Sequence, residues 1–579
     1  MPVTLNSVLQ VLIFLVIVLL LTKPVGLYMY KIFNGERTWL SPVFVPVERF
    51  FYRLSGINPE EGQKWTGYMI SVLTFSVAGM LLLYLLERTQ QLQGSLFNPA
   101  GLGPVEERLA FNTASSFTTN TNWQNYTGET TMSYLTQMAG LTFHQFVSAA
   151  AGIALAVALV RGLARRSAQH LGNFWVDLVR CTLYILLPIC LVGALVFVSQ
   201  GMIQNFNPYT VVHTLNGQTQ VIAQGPVASM EIIKDLGTNG GGFFNVNSAH
   251  PFENPNAFTA LLIILCELTL GAGLFYMFGK WVGNTKQGWV LWVASAILFV
   301  IGLAVIIPAE QIGNPLLTQA GANQIVSDTQ AGGNMEGKEV RYGITISSFQ
   351  EETTTATSTG TVMSFHDSYT PLGGLVLITN IALGEIIFGG VGAGLYSMLY
   401  FAIIAVFIAG LMVGRTPEYL GKKIERKEIM MAVLALLISP LLVLGATALA
   451  MAIPQGLSSI LNPGPHGLTE VLYAYTSANG NNGSAFAGLT GNTPFYNWSL
   501  GMVMLIGRFA EVIPILAFAG SLVRKRVVPA GLGTFPTTGP LFVALLIGVI
   551  LIVGALTYFP AYSLGPVVEQ LLMQAGRTF

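Results

Sequence analysis

Thr238-Asn239-Gly240-Gly241-Gly242-Phe243-Phe244-Asn245 is too polar and too rich in glycine to be a membrane helix, yet it lies between two strongly apolar segments. A short amphipathic run, 230–236, leads into it. Irregular backbone at membrane depth is tolerated only where protein buries it or where it lines a watery cavity. Glycine lets carbonyl oxygens point in directions that other residues resist. The stretch therefore reads as a re-entrant loop, and the fold depends on how many such loops the chain contains.

The surrounding composition supports a membrane setting. Of 579 residues, 52% are hydrophobic and 9% are charged, and the mean hydropathy is +0.61. A soluble domain carries about 25% charged residues. Lysine and arginine balance aspartate and glutamate at 27 each, so nothing points to nucleic acid. Cys181, Cys190 and Cys266 lie in apolar segments without CxxC spacing and read as small buried hydrophobes. The first apolar run, 8–22, has no basic residue before it and no small-residue cleavage site after it. It reads as a retained membrane helix rather than a signal peptide.

Runs of about 20 apolar residues mark spanning helices. They fall near 5–23, 66–86, 135–160, 176–199, 257–279, 288–308, 372–412, 430–453, 497–522 and 540–562. The seventh is too long for one straight span and is expected to be broken. With the N-terminus outside, the inside connectors collect clusters such as Arg161, Arg165 and Arg166, or Lys422, Lys423, Arg426 and Lys427. The outside segments hold only Arg88, Arg108, Lys234, Lys338, Arg341 and Arg577. The positive-inside rule then places both termini outside.

Four outside segments share one plan, a short helix-like run followed by a turn rich in Asn, Thr, Ser and Gly. The first runs from Glu107 into Thr118-Thr119-Asn120-Thr121-Asn122-Trp123-Gln124. The second is the opening stretch. The third passes through Thr353-Thr354-Thr355-Ala356-Thr357 into Ser358-Thr359-Gly360-Thr361-Val362. The fourth runs from Glu470 into Ala478-Asn479-Gly480-Asn481-Asn482-Gly483-Ser484. Each lies between two spans, so the unit helix, pore loop, helix occurs four times. The expected fold is an all-α polytopic membrane protein of about ten spans, with four pseudo-symmetric repeats and one extra helix at each end. Its parts are 1–65 (first span and cytoplasmic connector), repeats at 66–161, 176–281, 288–413 and 428–523, and a last span at 538–579.

A short helix entering from outside points its C-terminal end at the membrane centre, and that end carries roughly half a negative charge. Four such ends around one point stabilise a cation without a carboxylate. The following Asn and Gly residues present carbonyls that can replace the water shell of a potassium ion. No acidic ring occurs in the four turns, which suits potassium better than calcium.

Several motifs carry a family resemblance. Thr119-Asn120-Thr121-Asn122-Trp123-Gln124, Gly237-Thr238-Asn239-Gly240-Gly241-Gly242-Phe243-Phe244-Asn245, His366-Asp367-Ser368-Tyr369-Thr370-Pro371, Gly389-Gly390-Val391-Gly392-Ala393-Gly394-Leu395-Tyr396, and Tyr475-Thr476-Ser477-Ala478 with Asn482-Gly483-Ser484-Ala485-Phe486-Ala487-Gly488 are the residues concerned. The chain resembles, over essentially its whole length, the potassium-binding A subunits of bacterial Kdp ATPases. That family is similar in core fold to potassium channels and to Trk, Ktr and HKT transporters. The resemblance implies a high-affinity potassium import complex in the bacterial cell membrane. In it a P-type ATPase B subunit, a single-span C subunit and a small F peptide join this chain in the lipid bilayer. ATP would act only through the partner, and no covalently bound cofactor is implied. The implied filter set is Asn120, Thr121, Asn122 and Gln124; Thr238, Asn239 and Gly240; Ser358, Thr359 and Gly360; and Asn481, Asn482 and Gly483, with potassium as the bound metal ion. The first repeat has Asn-Thr-Asn where glycine is expected. The site should therefore be pseudo-fourfold, with side-chain amides helping on that side.

Arg508 in the ninth span and Glu385 in the seventh are charges at membrane depth, which usually face the bundle interior. Arg508 is expected to plug the path straight to the inside, and Glu385 to guide the ion sideways; a structural ion pair is the alternative. Gly389, Gly390, Gly392 and Gly394 lack the spacing of a dinucleotide loop. They read as a helix break forming a gating loop under the filter, with close helix packing as the alternative. Arg415 joins this gating or coupling set. The histidines form no site: His144 starts the third span, His170, His213, His250, His366 and His466 scatter through loops, and His366 with Asp367 reads as a local turn-fixing pair. The chain has no Walker A sequence and no Asp-Lys-Thr-Gly motif, so no catalytic residue is expected in it. A stand-alone potassium channel or Trk-like transporter is the competing function. A membrane enzyme would need converging acid, base or metal groups, which the spans lack.

Overall fold

The computed structural model describes residues 5–412, 414, 415, 417–529, 531 and 534–577. Among them, ten helices are long and apolar enough to cross a membrane. They are Leu5–Phe33, Trp65–Arg88, Thr136–Ala164, Phe174–Ser199, Ala257–Trp281, Thr285–Ile312, Ala393–Met412, Arg426–Ala452, Pro494–Leu522 and Pro540–Leu564. The chain is thus a multi-pass membrane protein.

The long seventh apolar run is broken. One helix, Pro371–Ala382, ends at Leu383, and the next begins at Ala393. Between them the backbone turns left-handed at Gly384, Glu385, Phe388 and Gly392. The first helix runs further than its first apolar stretch, through Pro24 to Phe33. Beyond Pro24 it lies against the fifth span at Gly26, where an added methyl would collide with the Gly273 carbonyl. Close packing through small residues holds helices together in lipid, where apolar burial offers little. A further helix, Ser41–Ser55, leaves Val43, Phe50, Phe51 and Leu54 exposed beside polar neighbours, the pattern of a helix lying along a membrane surface.

The third span is the centre of the bundle, with 94% of its apolar window buried against 17% for the eighth. Its sequence explains this. Ser148-Ala149-Ala150-Ala151-Gly152 is a run of small residues that lets neighbours approach from every side. A π-helical turn, Thr136–Thr142, precedes the α-helix and shifts its face. Two cations of the connectors between spans are buried. Arg161 binds Asp177 through two hydrogen bonds, at 2.5 and 2.8 Å. Lys422 donates to the carbonyls of Gly162, Arg165 and Leu522 at 2.6–2.7 Å, capping the third and ninth spans together.

Candidate functional site

Four short helices, Glu107–Thr118, Val227–Leu236, Gly343–Ala356 and Pro465–Asn479, run into the bundle and stop. The residue after each cap turns left-handed: Asn120 (φ 73°), Thr238 (48°), Ser358 (53°) and Asn481 (53°). Left-handed backbone is costly for residues with a Cβ, and its recurrence at one position in four loops marks a constrained site. Two residues later stand Asn122, Gly240, Gly360 and Gly483. Three of these also turn left-handed, at 57°, 93° and 103° for Asn122, Gly360 and Gly483.

The four turns converge. A methyl on Gly240 would lie 2.8 Å from the Asn482 carbonyl and 2.9 Å from that of Thr121. One on Gly360 would strike the Asn482 carbonyl and lie 2.7 Å from the Gly240 Cα. One on Gly483 would strike the Thr121 carbonyl. Backbone from all four repeats therefore shares one small volume, and none of its aligned positions carries a charged side chain.

Hydrogen bonds close this ring. Asn120 Nδ2 donates to the Thr238 carbonyl at 2.9 Å, and Thr361 Oγ1 to the Asn239 carbonyl at 3.0 Å. Ser358 Oγ donates to the Gly480 carbonyl at 2.8 Å. Asn481 Nδ2 donates to Thr121 Oγ1 at 2.9 Å, completing the circuit. Thr121 Oγ1 and Thr359 Oγ1 also meet hydroxyls of their own helix ends, Thr119 and Thr357. Asn482 Nδ2 donates to the Thr354 carbonyl. The side chains are thus turned back into the scaffold. Gln124 is similarly committed: its Nε2 donates to the Gly242 carbonyl and its Oε1 accepts from the Gly242 amide.

Asn122 is the exception. It is 1% exposed, and among the described residues neither amide atom has a hydrogen-bond partner. It stands where the other loops have glycine and lines a cavity of about 410 Å³ shared with Gly240, Gly360 and Gly483. A buried unpartnered amide costs free energy, so its place is the expected one for a group that meets a ligand.

Polar groups outside the turns hold the ring. From the third span, Gln145 Nε2 donates to the Gly241 carbonyl at 2.5 Å and Ser148 Oγ to Asn120 Oδ1 at 2.6 Å. Lys234 reaches Glu231 at 2.6 Å, Glu253 at 3.2 Å and Asn247 Oδ1 at 2.9 Å; Asn247 Nδ2 in turn donates to the Gly240 carbonyl at 2.6 Å. Glu351 accepts from the amides of Met363 and Ser364, both at 2.9 Å. Gln145 and Ser148 had a legible signal, being polar residues inside an apolar span. The long-range ties of Lys234 and Glu351 had none.

Below the ring lies the break in the seventh run. Val391 N donates to Thr238 Oγ1 at 3.0 Å, and a methyl on Gly390 would lie 3.1 Å from the Thr357 carbonyl. Methyls on Gly389 and Gly392 would collide with the carbonyls of Glu385 and Gly152. Gly389 and Gly394 also lie against each other. Glu385 lines a side cavity of about 70 Å³ with Gly480, Glu511 and Tyr558. Arg508 donates to Tyr396 OH at 3.2 Å, and among the described residues it forms no ion pair with Glu385 or Glu511. Arg415 stands apart. It is exposed beyond the far end of Ala393–Met412, a helix about 30 Å long, and its guanidinium reaches the Thr534 carbonyl at 3.4 Å. His366 and Asp367 do not pair with each other. His366 bonds Glu351 and, at 2.9 Å, Tyr473 OH, while Asp367 faces His466 and Asn462. The turn that carries them sends the two side chains to different elements.

The family described as KdpA, potassium-transporting ATPase A subunit, matches residues 12–571. A potassium-transporting ATPase potassium-binding subunit of Mesorhizobium japonicum is 58% identical over 577 residues, covering 100% of both chains. One from Koribacter versatilis is 54% identical over 592 residues, covering 99% of this chain and 100% of its own. Among solved structures, the potassium transporter TrkH from Vibrio parahaemolyticus shares the fold, with a TM-score of 0.52 at 14% identity, over 86% of this chain and 96% of that one. A full-length match at this identity leaves one assignment: the chain belongs to the KdpA family of potassium-transporting ATPase A subunits.

Proposed function

We propose that this chain binds and translocates potassium for an ATP-driven import complex. The observation that carries the proposal is the closed ring of four left-handed turns, uncharged and rich in carbonyls, at the inner ends of four short helices. Helix-end dipoles and carbonyls favour a large, weakly hydrated cation. The ring, with Asn122 supplying an amide on the first side, is read as the selectivity filter, and the cavity above it as the mouth. Partners follow from the family. A P-type ATPase B subunit would supply ATP hydrolysis, with a single-span C subunit and a small F peptide completing the complex in a bacterial inner membrane. Both termini would be extracytoplasmic. Full-length likeness to potassium-binding subunits of ATPases favours this over a stand-alone channel.

The test is to copurify the tagged chain with the products of its neighbouring genes and to assay ATP hydrolysis with potassium and with sodium. Potassium-selective stimulation is expected, with apparent affinity at least about tenfold weaker for Gly240→Asp, the cost of roughly 1.4 kcal/mol. Passive potassium flux through the isolated chain, with no partner ATPase, would move the assignment to a channel.

Beneath the filter, Arg508 acts as a positive plug and Glu385 directs the ion into the side cavity. Arg508→Gln should leave folding intact and uncouple the complex, so that hydrolysis continues while potassium accumulation falls. Unchanged accumulation per ATP in reconstituted vesicles would remove the plug.

A further inference from the structure

Three elements distant in sequence meet around His466. Asp367 comes from the tight turn His366–Ser368, His466 and Glu470 from the first turns of Pro465–Asn479, and Glu569 from the last helix, Pro566–Gln574. His466 Nε2 lies 3.1 Å from Asp367 Oδ1 and 3.9 Å from Glu470 Oε1. One ligand atom from each of these three residues lies within 4.8 Å of the others. The second ring nitrogen, Nδ1, meets Glu569 Oε1 at 2.8 Å. Metal-bound histidines usually have such a carboxylate on the nitrogen that does not bind the metal.

The charges do not balance. Three carboxylates surround one imidazole, and among the described residues no lysine or arginine forms an ion pair with any of them. Even with His466 protonated, the group is negative. Glu470 is fully buried, and among the described residues its Oε2 has no hydrogen-bond partner. Its other oxygen accepts from Asn462 Nδ2 at 2.7 Å. Gly488 makes room for this convergence: a methyl there would strike Glu470 Oε1 and lie 2.8 Å from Asp367 Oδ2. A cavity of about 240 Å³ reaches Asp367, His466 and Glu569, and Glu336 and Arg577 also line it.

We propose that Asp367, His466 and Glu470 bind a divalent transition-metal ion of the zinc type, with Glu569 orienting the imidazole. The bound ion would staple the last helix to the third and fourth repeats. One nitrogen and two carboxylate oxygens suit zinc, whose bonds to such atoms of about 2.0–2.1 Å place tetrahedral donors about 3.3 Å apart. The observed separations of 3.1 and 3.9 Å need only small side-chain adjustments. A fourth position remains for water.

The test uses the purified full-length chain with its accompanying subunits, stripped by a chelator and titrated with zinc ion against a chromophoric competitor. The expected result is one site per chain and an X-ray absorption shell of nitrogen and oxygen at about 2.0–2.1 Å. His466→Gln and Glu470→Gln should lose this site. Glu569→Gln should keep it at roughly 10–100-fold weaker affinity. Potassium affinity without zinc, measured on His466→Gln and Glu569→Gln, checks that the variants fold and separates failure here from failure of the filter. If His466→Gln misfolds, the Glu470→Gln and Glu569→Gln titrations decide. No stoichiometric zinc, or equal zinc on the native chain and the ligand variants (an adventitious ion only), would overturn the proposal.

Discussion

Gly360→Ala is expected to lower the apparent potassium affinity by roughly 100-fold or more, the equivalent of about 3 kcal/mol, while the bundle still folds. Two effects combine. Gly360 has φ of +93°, where a Cβ introduces strain of about 1–3 kcal/mol. Its methyl would also collide with the Asn482 carbonyl. That carbonyl cannot yield easily, because the Asn482 side chain is tied at both ends. Its Nδ2 donates to the Thr354 carbonyl at 2.9 Å, and its Oδ1 accepts from the Ser484 amide at 3.0 Å. The displaced group is thus a proposed ligand of the ion. Gly283→Ala is the control. It has φ of +76° but no described residue within 4 Å of the added methyl, so it carries the strain without the collision. Native potassium affinity is expected for Gly283→Ala, in transport or ATPase titrations. Equal affinities for the two variants would refute the assignment of the ring as the ion site.

Lys234→Met should be the most destabilising single change. Lys234 is fully buried, and its ammonium serves Glu231 at 2.6 Å, Glu253 at 3.2 Å and Asp235 at 3.9 Å. Removing one partner of a buried ion pair leaves uncompensated charge and costs about 3–5 kcal/mol. A steep fall in thermal stability and yield is expected in detergent. Adding Glu231→Gln removes one of the stranded carboxylates and should recover part of the stability. Potassium affinity should not recover with it. The ammonium also anchors Asn247, whose amide holds the Gly240 carbonyl at 2.6 Å, and methionine cannot replace that bond. Recovery of both properties together would show that Lys234 balances charge without positioning the filter.

The spans and the four re-entrant units were legible because their signals are local. About 20 apolar residues cross a bilayer whatever lies beside them, and a short helix followed by Asn, Thr and Gly shows its plan within 20 residues. The break in the seventh run was legible for the same reason, since glycines concentrated at 389–394 cannot hold a straight helix. The first helix was less so. Its apolar run near 5–23 stops short of the helix, which continues through Pro24 to Phe33 and packs on Gly273 at Gly26.

Pairing between repeats belongs to the tertiary structure. Asn120 meets the Thr238 carbonyl, and Asn481 meets Thr121, across 118 and 360 residues. No periodicity records such partners. They arise only when four similar units close around one axis. The same holds for Lys422, a connector cation in the sequence and a cap for two helix ends in the fold. It holds for His466 too: Glu470 lies one turn along its own helix, but Asp367 and Glu569 met it only when the third-repeat turn and the last helix packed against the fourth repeat. The sequence by itself determined which segments cross the membrane and which re-enter it, because apolar length and backbone freedom are properties of short stretches. The tertiary structure alone decided which carbonyls meet, because that depends on how separate repeats pack, with buried polar groups bonding wherever packing brings a partner.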